Sequence, residues 1–335
     1  MRPDPTRAAQ TSGYLIALAA AAVLATTAIF IRYLTETYHL PALILAFWRD
    51  SFVALSLLAA LSLLRPGWLR LPRAHLPFLL VYGLVLALFN STWTLSVAVN
   101  GAAIATILVY CSTAFTAVLA RWLLKESLDG AKLLAVALSL AGCVLVADAL
   151  NQAAWHANPL GIVMGVVSGL CYAVYSLMGR AASQRGLETW TTLAYTFGFA
   201  ACGLLVFNLL PSVLLLGNMP AGLLPGAAVR PTDLLWLGNA WLGWGILLAL
   251  AAGPTLLGFG LYNMSLARLP SSVANLVVTL EPIFTAVLAY ALLGERLTGT
   301  QIGGGLLILL GIVIIRLHEG RQLTGLAAEE PVAGD

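Results

Sequence analysis

Apolar stretches of about 20 residues follow one another almost from end to end of this 335-residue chain, and each has the length at which a helix crosses a hydrocarbon core of roughly 30 Å. Ten are readable, at approximately 14–34, 41–64, 75–99, 101–123, 130–148, 159–183, 188–215, 236–266, 271–293 and 299–317. In lipid every backbone N–H and C=O must be satisfied within the segment itself, so such runs become helices. Only 9% of the residues are charged while 60% are hydrophobic, against about 25% charged in a soluble domain. The reading is an all-α integral membrane protein. Its connections are mostly too short to hold a soluble domain; the longest, GNMPAGLLPGAAVRPTD at 217–233, carries no evident chemistry.

The first run is longer than the apolar region of an ordinary secretory signal and no convincing cleavage site follows it, so it reads as a retained helix. Cys111, Cys143, Cys171 and Cys202 all fall inside runs, without the paired spacing of metal or redox sites. The two tails read as disordered. If both termini face the cytoplasm, 13 of the 17 Lys and Arg lie on that side, only Arg32, Arg230 and Arg296 lie opposite, and Arg49 sits in mid-span. The positive-inside rule therefore predicts a multi-pass protein of a bacterial-type inner (plasma) membrane with cytoplasmic N- and C-termini.

TAFTAVLARWLLKESL at 113–128 returns 169 positions later as PIFTAVLAYALLGERL at 282–297, with ten identities in sixteen. The same offset pairs Gly142 with Gly311 and Ser96 with Ser265, while an offset of 148 pairs Gly13 with Gly161 and Arg32 with Arg180. The 21-residue difference is close to the length of the long loop. Each copy holds five spans, and an odd number obliges the second copy to enter the membrane from the opposite side. The expected plan is a cytoplasmic tail at 1–12, a first five-helix repeat at 13–150, an inverted second repeat at 151–317 and a cytoplasmic tail at 318–335, around a central cavity. Inverted repeats of this kind permit two nearly equivalent conformations around a midplane site.

FWRDSFVAL in the second span, GIVMGVVSGLCYAVYSLMGR in the sixth and EPIFTAVLAYALLGERL in the ninth resemble the EamA family of the drug/metabolite transporter superfamily, over about residues 13 to 317. The resemblance implies export of small metabolites, often amino acids, through a central cavity. The halves are not equal: Ser112-Thr113 stands in the first where Glu281-Pro282 stands in the second.

Ionisable groups inside a span cost about 2.5–3.5 kcal/mol on insertion scales, which singles out Arg49, Asp50 and Glu281. At 1.5 Å per residue, Arg49 and Glu281 fall at nearly the same depth, roughly 12 and 15 Å from opposite faces. They are expected to face the bundle interior near one another, pairing or binding the charged ends of an amino acid; a helix-locking polar contact is the alternative. Asp50, about 100° around the helix, is expected to contact a neighbouring helix. Pro282 should kink the ninth span at or near Glu281.

Thr106, Tyr110 and Thr113 on the fourth span match Asn275, Thr279 and Pro282 on the ninth, at spacings that share one helix face. Asn90 and Trp93 on the third span, Tyr262 and Asn263 on the eighth, and Ser168, Tyr172 and Tyr175 on the sixth complete a candidate cavity lining, suited to a neutral or aromatic solute. Such residues also serve simply to join helices. Gly161, Gly165 and Gly169 allow another helix to approach closely.

No glycine-flanked serine elbow or paired His motif points to catalysis, and no cofactor, metal or nucleic acid is called for. The expected partners are a small-molecule substrate and the lipid bilayer, and ten spans suffice to enclose a pathway in one monomer. An amino acid or metabolite exporter working by alternating access leads. A multidrug or other metabolite permease, an importer, a channel and a membrane enzyme stand as alternatives.

Overall fold

The computed structural model describes residues 5–69, 71–100, 108–123, 125, 129–146, 159–214, 230–293 and 298–329. Among these residues helix is the only regular secondary structure. Six helical stretches among the described residues are long and apolar enough to cross a membrane: Gln10–Thr37, Ala42–Leu64, Arg73–Ser96, Gly161–Gln184, Thr189–Leu209 and Trp241–Leu266. Shorter apolar helices cover Leu108–Leu123, Gly130–Leu145 and Ile302–Ile314. In chain order the elements are α1 (Pro5–Leu24), α2 (Thr27–Thr37), α3 (Ala42–Leu64), α4 (Leu76–Asn100), α5 (Ser112–Leu123), α6 (Gly130–Val146), α7 (Pro159–Gln184), α8 (Thr189–Leu214), α9 (Trp241–Leu250), α10 (Gly258–Leu266), α11 (Ser271–Val278), α12 (Glu281–Leu293) and α13 (Gly299–Glu329). Short 3₁₀ turns at Pro66–Leu69 and Pro231–Leu235 lie ahead of α4 and α9.

Among the described residues three apolar runs are interrupted, each with a local cause. Between α1 and α2 the Thr26 hydroxyl donates to the Val23 carbonyl at 2.7 Å, and threonine competing in this way for a helical acceptor loosens the turn. Between α9 and α10 the chain forms a π-helix at Ala251–Leu257 with Pro254 inside it. Pro254 has no N–H to give the Leu250 carbonyl, and the Thr255 hydroxyl supplies a bond to that carbonyl at 3.0 Å instead. Between α11 and α12 the break falls at Thr279–Leu280. Pro282 is then in the first turn of α12, where its missing N–H would have no intrahelical partner anyway.

The C-terminal tail departs from the sequence expectation. α13 runs past Leu317 to Glu329, because HEGRQLTGLAAE is rich in good helix formers and the next proline is Pro331. Likewise α1 starts at Pro5, inside the expected N-terminal tail.

Packing follows the small residues. A Cβ on Gly142 of α6 would lie 2.6 Å from the Gly304 carbonyl oxygen and 2.6 Å from Ile308 of α13; one on Gly311 would lie 2.9 Å from the Ala135 oxygen and 3.0 Å from Ser139 Oγ. As the number rises along α6 it falls along α13, so the two helices run antiparallel. On α7 a Cβ at Gly165 would come within 2.5 Å of Leu108, one at Gly169 within 3.0 Å of the Leu108 oxygen, and the Gly161 carbonyl accepts from Ser96 Oγ at 2.9 Å. α4 packs on α7 and α8, α3 on α8, α1 on α10 and α11, and α5 on α7 and α11. The outward surface carries exposed leucines and tryptophans such as Leu63, Leu64, Trp122 and Trp241, whereas Asn90, Asn208, Asn263, Asn275 and many Ser and Thr are buried. An apolar exterior around a polar interior suits a lipid solvent.

Candidate substrate site

The buried polar side chains converge where α3, α4, α7, α10 and α11 meet. Tyr172, Tyr175 and Ser176 lie within one turn of α7, Tyr262 and Asn263 on α10 face them, and Tyr82 and Asn90 come from α4. The Tyr82 hydroxyl donates to Asn263 Oδ1 at 3.0 Å, and Asn263 Nδ2 donates to the Tyr175 hydroxyl at 2.9 Å and to the Phe259 carbonyl at 2.9 Å. A second knot surrounds Tyr262, whose hydroxyl lies 2.6 Å from Ser176 Oγ. Asn275 Nδ2 reaches Ser176 Oγ and Thr116 Oγ1, each at 3.2 Å.

Rings hold these hydroxyls in place. Tyr172 stacks on Tyr262 (centroids 5.6 Å apart, planes at 16°) and lies parallel to Tyr175 at 6.3 Å; Phe89 packs on Tyr172 at 5.0 Å, and Phe259 meets Tyr175 edge-on at 5.6 Å. A slab of aromatic faces edged with hydroxyls and amides presents apolar area and hydrogen-bonding capacity together.

Charged groups stand at two margins of the slab. On α3 the Asp50 carboxylate accepts from Arg49 Nε at 3.2 Å and from Asn90 Nδ2 at 2.6 Å, and Asp50 is within electrostatic range of Tyr175. Arg49 and Asp50 are both buried, and Arg49 Nη2 has no hydrogen-bond partner among the described residues. At the other margin Glu281, partly buried at the start of α12, faces the Tyr110 hydroxyl and lies within electrostatic range of Tyr172. The expected proximity of Arg49 to Glu281 is therefore not a direct pair: each has its own partner, with the tyrosines between them. Arg49 turns to its neighbour because Asp50, one residue on, is the nearest acceptor that α3 offers.

Of the other residues marked by the sequence, Trp93 is half-buried between the main core and a second apolar cluster built on α2, α3 and α9. Thr279 donates to the Leu276 carbonyl at 2.6 Å, so its hydroxyl closes the end of α11. Ser168 back-bonds to Gly165 in the same manner at 2.6 Å. Thr106 lies outside the described residues, as does the side chain of Pro282. Three members went unread in the sequence: Tyr82, Ser176 and Thr116. Ser176 is one turn beyond Tyr172 and Thr116 one turn beyond Thr113, so extending the same helical stripes would have reached both. Tyr82 gave no signal beyond sharing a helix with Asn90.

A shallow recess of ≈10 Å³, lined by Gly179, Ala182, Ser183, Leu187, Thr189, Thr192 and Asn263, lies at the α7–α8 turn beside the first knot. Arg180 donates to the Leu266 carbonyl at 2.8 Å, and the Arg185 guanidinium covers the Phe78 ring at 4.0 Å. At the opposite end of the bundle Trp48, Trp244 and Phe52 close together, with Trp48 and Trp244 edge to face at 5.0 Å. No group of three or more His, Cys, Asp or Glu suited to a metal ion occurs among the described residues.

Comparison with known proteins places this architecture. The chain is 29% identical over 256 residues to the threonine/homoserine exporter RhtA of Salmonella typhimurium, covering 75% of this chain and 74% of that one. It is 26% identical over 282 residues to a probable amino-acid metabolite efflux pump of the same species, covering 83% and 86%. An uncharacterized transporter of Archaeoglobus fulgidus is 26% identical over 233 residues, covering 68% and 74%. A solved structure titled only as a crystal structure of protein superposes with a TM-score of 0.70 at 18% identity, over 93% of this chain and 99% of that one, so the fold is shared. The description "EamA-like transporter family" matches residues 11–147 and 159–317, and the chain belongs to that family, within the drug/metabolite transporter superfamily.

Proposed function

We propose that this protein is a secondary transporter that exports amino acids or related small metabolites by alternating access, with the tyrosine–asparagine slab as its substrate site. The observation that carries the reading is that this slab joins segments of both sequence repeats, Tyr82 to Asn263 and Thr116 to Asn275, so a motion of one repeat against the other must remake it. The names of the RhtA and efflux-pump relatives favour the substrate class.

The finer architecture belongs to the same proposal: ten transmembrane helices, in five-helix repeats at 13–150 and 151–317, related by a twofold axis in the membrane plane. Gly142, Ala135 and Ser139 correspond at the 169 offset to Gly311, Gly304 and Ile308, and the α6–α13 contacts are reciprocal in those numbers. A reciprocal contact between antiparallel helices is what a twofold axis perpendicular to them produces. Exchanging the repeats also turns the α4–α7 contact into α10–α1, and α5–α7 into α12–α1. With the basic loops cytoplasmic, both termini lie inside a bacterial-type inner membrane and the recess beside Asn263 opens to the cytoplasm, where an exporter takes up its cargo.

A zwitterion bridging the margins would offer its carboxylate to Arg49 Nη2 and its ammonium to Glu281. Asn90, Trp93, Thr106, Tyr110, Tyr172, Tyr175, Tyr262, Asn263, Asn275 and Thr279 are the proposed surroundings, with the kink ahead of Pro282 exposing Glu281. The test is counterflow of labelled amino acids, threonine and homoserine among them, in proteoliposomes. Uptake abolished by Glu281→Gln and by Arg49→Ala is expected. Full transport by either variant removes that residue from the mechanism, and a response to cationic drugs alone turns the assignment to multidrug efflux.

A further inference from the structure

Each end of the bundle is closed by one aromatic side chain hydrogen-bonded to a backbone carbonyl of a 3₁₀ turn, and the two closures match. At one end Trp48 Nε1 of α3 donates to the Leu234 carbonyl at 2.6 Å, in the turn Pro231–Leu235 that precedes α9. At the other end the Tyr195 hydroxyl of α8 donates to the Leu69 carbonyl at 2.8 Å, in the turn Pro66–Leu69 that precedes α4. Trp48 and Tyr195 are each the seventh residue of their helix. Each is buttressed one turn on by a phenylalanine at a similar tilt: Trp48 with Phe52 at 5.6 Å and 39°, Tyr195 with Phe199 at 6.4 Å and 38°. Both turns start with proline, which fixes φ at the first residue of each turn. In both cases the donor helix belongs to one sequence repeat and the accepting turn to the other.

We infer that Trp48 and Tyr195 are the two gate residues of the transport cycle, each latching its helix to the facing repeat and releasing in alternation. The inference rests on the alternating-access reading. The acceptors are main-chain oxygens, so the donor ring alone decides whether a latch can form. Neighbouring bonds make each latch a small unit. Thr191 Oγ1 donates to the Trp68 carbonyl at 3.0 Å beside Tyr195. On the Trp48 side Trp236 Nε1 donates to the Tyr38 carbonyl and Trp244 Nε1 to the Gly238 carbonyl, both at 3.1 Å. Removing one latch bond leaves the other in place and shifts the population toward opening at the weakened end by the worth of one hydrogen bond, roughly two- to ten-fold. In the proposed orientation Trp48 guards the exterior and Tyr195 the cytoplasm.

The test reads accessibility rather than transport. In the full chain with Cys111, Cys143, Cys171 and Cys202 replaced by alanine, one reporter is placed under the Trp48 closure (Leu237→Cys) or in the recess beside the Tyr195 closure (Thr192→Cys). Alkylation by a water-soluble maleimide is then timed in nanodiscs. Trp48→Phe is expected to speed labelling at position 237 roughly two- to ten-fold and slow it at 192, and Tyr195→Phe to do the reverse. Asp233→Ala loosens the Leu234 turn from the acceptor side, because Asp233 Oδ2 accepts from Arg230 N at 2.8 Å, and should act in the same direction as Trp48→Phe even if that variant folds poorly. Unchanged labelling, or both reporters speeding up together in each variant, overturns the inference. Because no substrate is added, a chain that carries something other than amino acids still gives the expected pattern, whereas counterflow failing alone leaves the latches standing.

Discussion

Asn90 of α4 donates its amide to the Asp50 carboxylate of α3 at 2.6 Å, and that carboxylate also holds the buried guanidinium of Arg49 at 3.2 Å. The three side chains form one electrostatic unit with both charges inside the bundle. Asn90→Ala leaves Asp50 with Arg49 as its remaining partner and strands part of a buried carboxylate, a loss of about 1–3 kcal/mol. Asp50→Asn alone leaves the guanidinium uncompensated and should cost at least as much. Thermal unfolding in detergent is expected to show the double variant less destabilised than the sum of the singles. Additive losses would mean that the three residues act independently.

Gly142 and Gly311 make equivalent contacts from opposite partners of the α6–α13 pair, with the nearest backbone oxygens 2.6 and 2.9 Å from the missing Cβ positions. Those oxygens belong to helical backbone and cannot rotate away as a side chain can. Gly142→Ala and Gly311→Ala are both expected to destabilise, by about 1–3 kcal/mol from forced separation of the helices. Gly198, with nothing within 4 Å of its Cβ position, is the control: Gly198→Ala should be neutral or gain up to about 1 kcal/mol in helix propensity. Equal melting temperatures for all three variants would show that the close approach is not required.

The apolar runs were legible because lipid imposes a fixed length on a helix, and the 169-residue repeat is written in the identities of the sequence itself. Helix interruptions were less legible. Pro282 marked one, yet the break lies two residues earlier, and Pro254 produced a π-helix whose carbonyl is rescued by Thr255, a local exchange that hydropathy does not see. The tyrosines on α7 and α10 were readable from stripe spacing. Which charge meets which was not: Arg49 and Glu281 share a depth, but depth leaves the direction around the helix axis open, and Asp50 captures the guanidinium from one residue away. Thr279 shows another feature that face alone does not reveal, since its hydroxyl bonds to the Leu276 carbonyl of its own helix.

That contrast between Thr279 and Tyr262 gives a transport prediction. The Tyr262 hydroxyl bonds to Ser176 and lies 3.5 Å from Asn275 Nδ2, whereas the Thr279 hydroxyl bonds to Leu276. Tyr262→Phe should raise the half-saturation concentration for the exported solute several-fold, in line with about 0.5–1.5 kcal/mol for one hydrogen bond. Thr279→Ala should leave it within two-fold. A larger effect from Thr279→Ala, measured by concentration-dependent counterflow, would move the site toward the α11–α12 break.

Asp129 precedes α6, accepts from Lys132 N at 2.9 Å and lies 3.0 Å from His318 Nε2 of α13. Partial burial raises its carboxyl pKa, but the Lys132 N–H and the His318 ring together more than offset this and leave it below the usual carboxylate value. With the folded value below the unfolded one of about 3.9, the stabilisation is fully present above pH 4 and is lost as pH falls through the lower folded value. The melting-temperature difference between wild type and Asp129→Ala should therefore be present at pH 7, stay constant for Asp129's own ionisation down to about pH 5, and shrink below about pH 4. A difference that persists undiminished well below pH 4 would show that the contact does not depend on the ionised carboxylate.

Topology is the remaining prediction, and it follows from charge alone. On the proposed five-span reading of each repeat, Arg65, Arg73, Arg121, Lys125, Arg180 and Arg185 lie in or near connections that fall on one side, together with both termini. Cytoplasmic loops attract Lys and Arg because short basic segments are translocated poorly. A green fluorescent protein fused after Asp335 should fluoresce, and alkaline phosphatase at the same point should be inactive. Phosphatase inserted after Gly238, beside the Trp48 closure, should be active. If both phosphatase fusions are active, an even number of spans separates residues 238 and 335, the second repeat does not hold five spans, and the reciprocal α6–α13 contact must then arise without a membrane-plane axis.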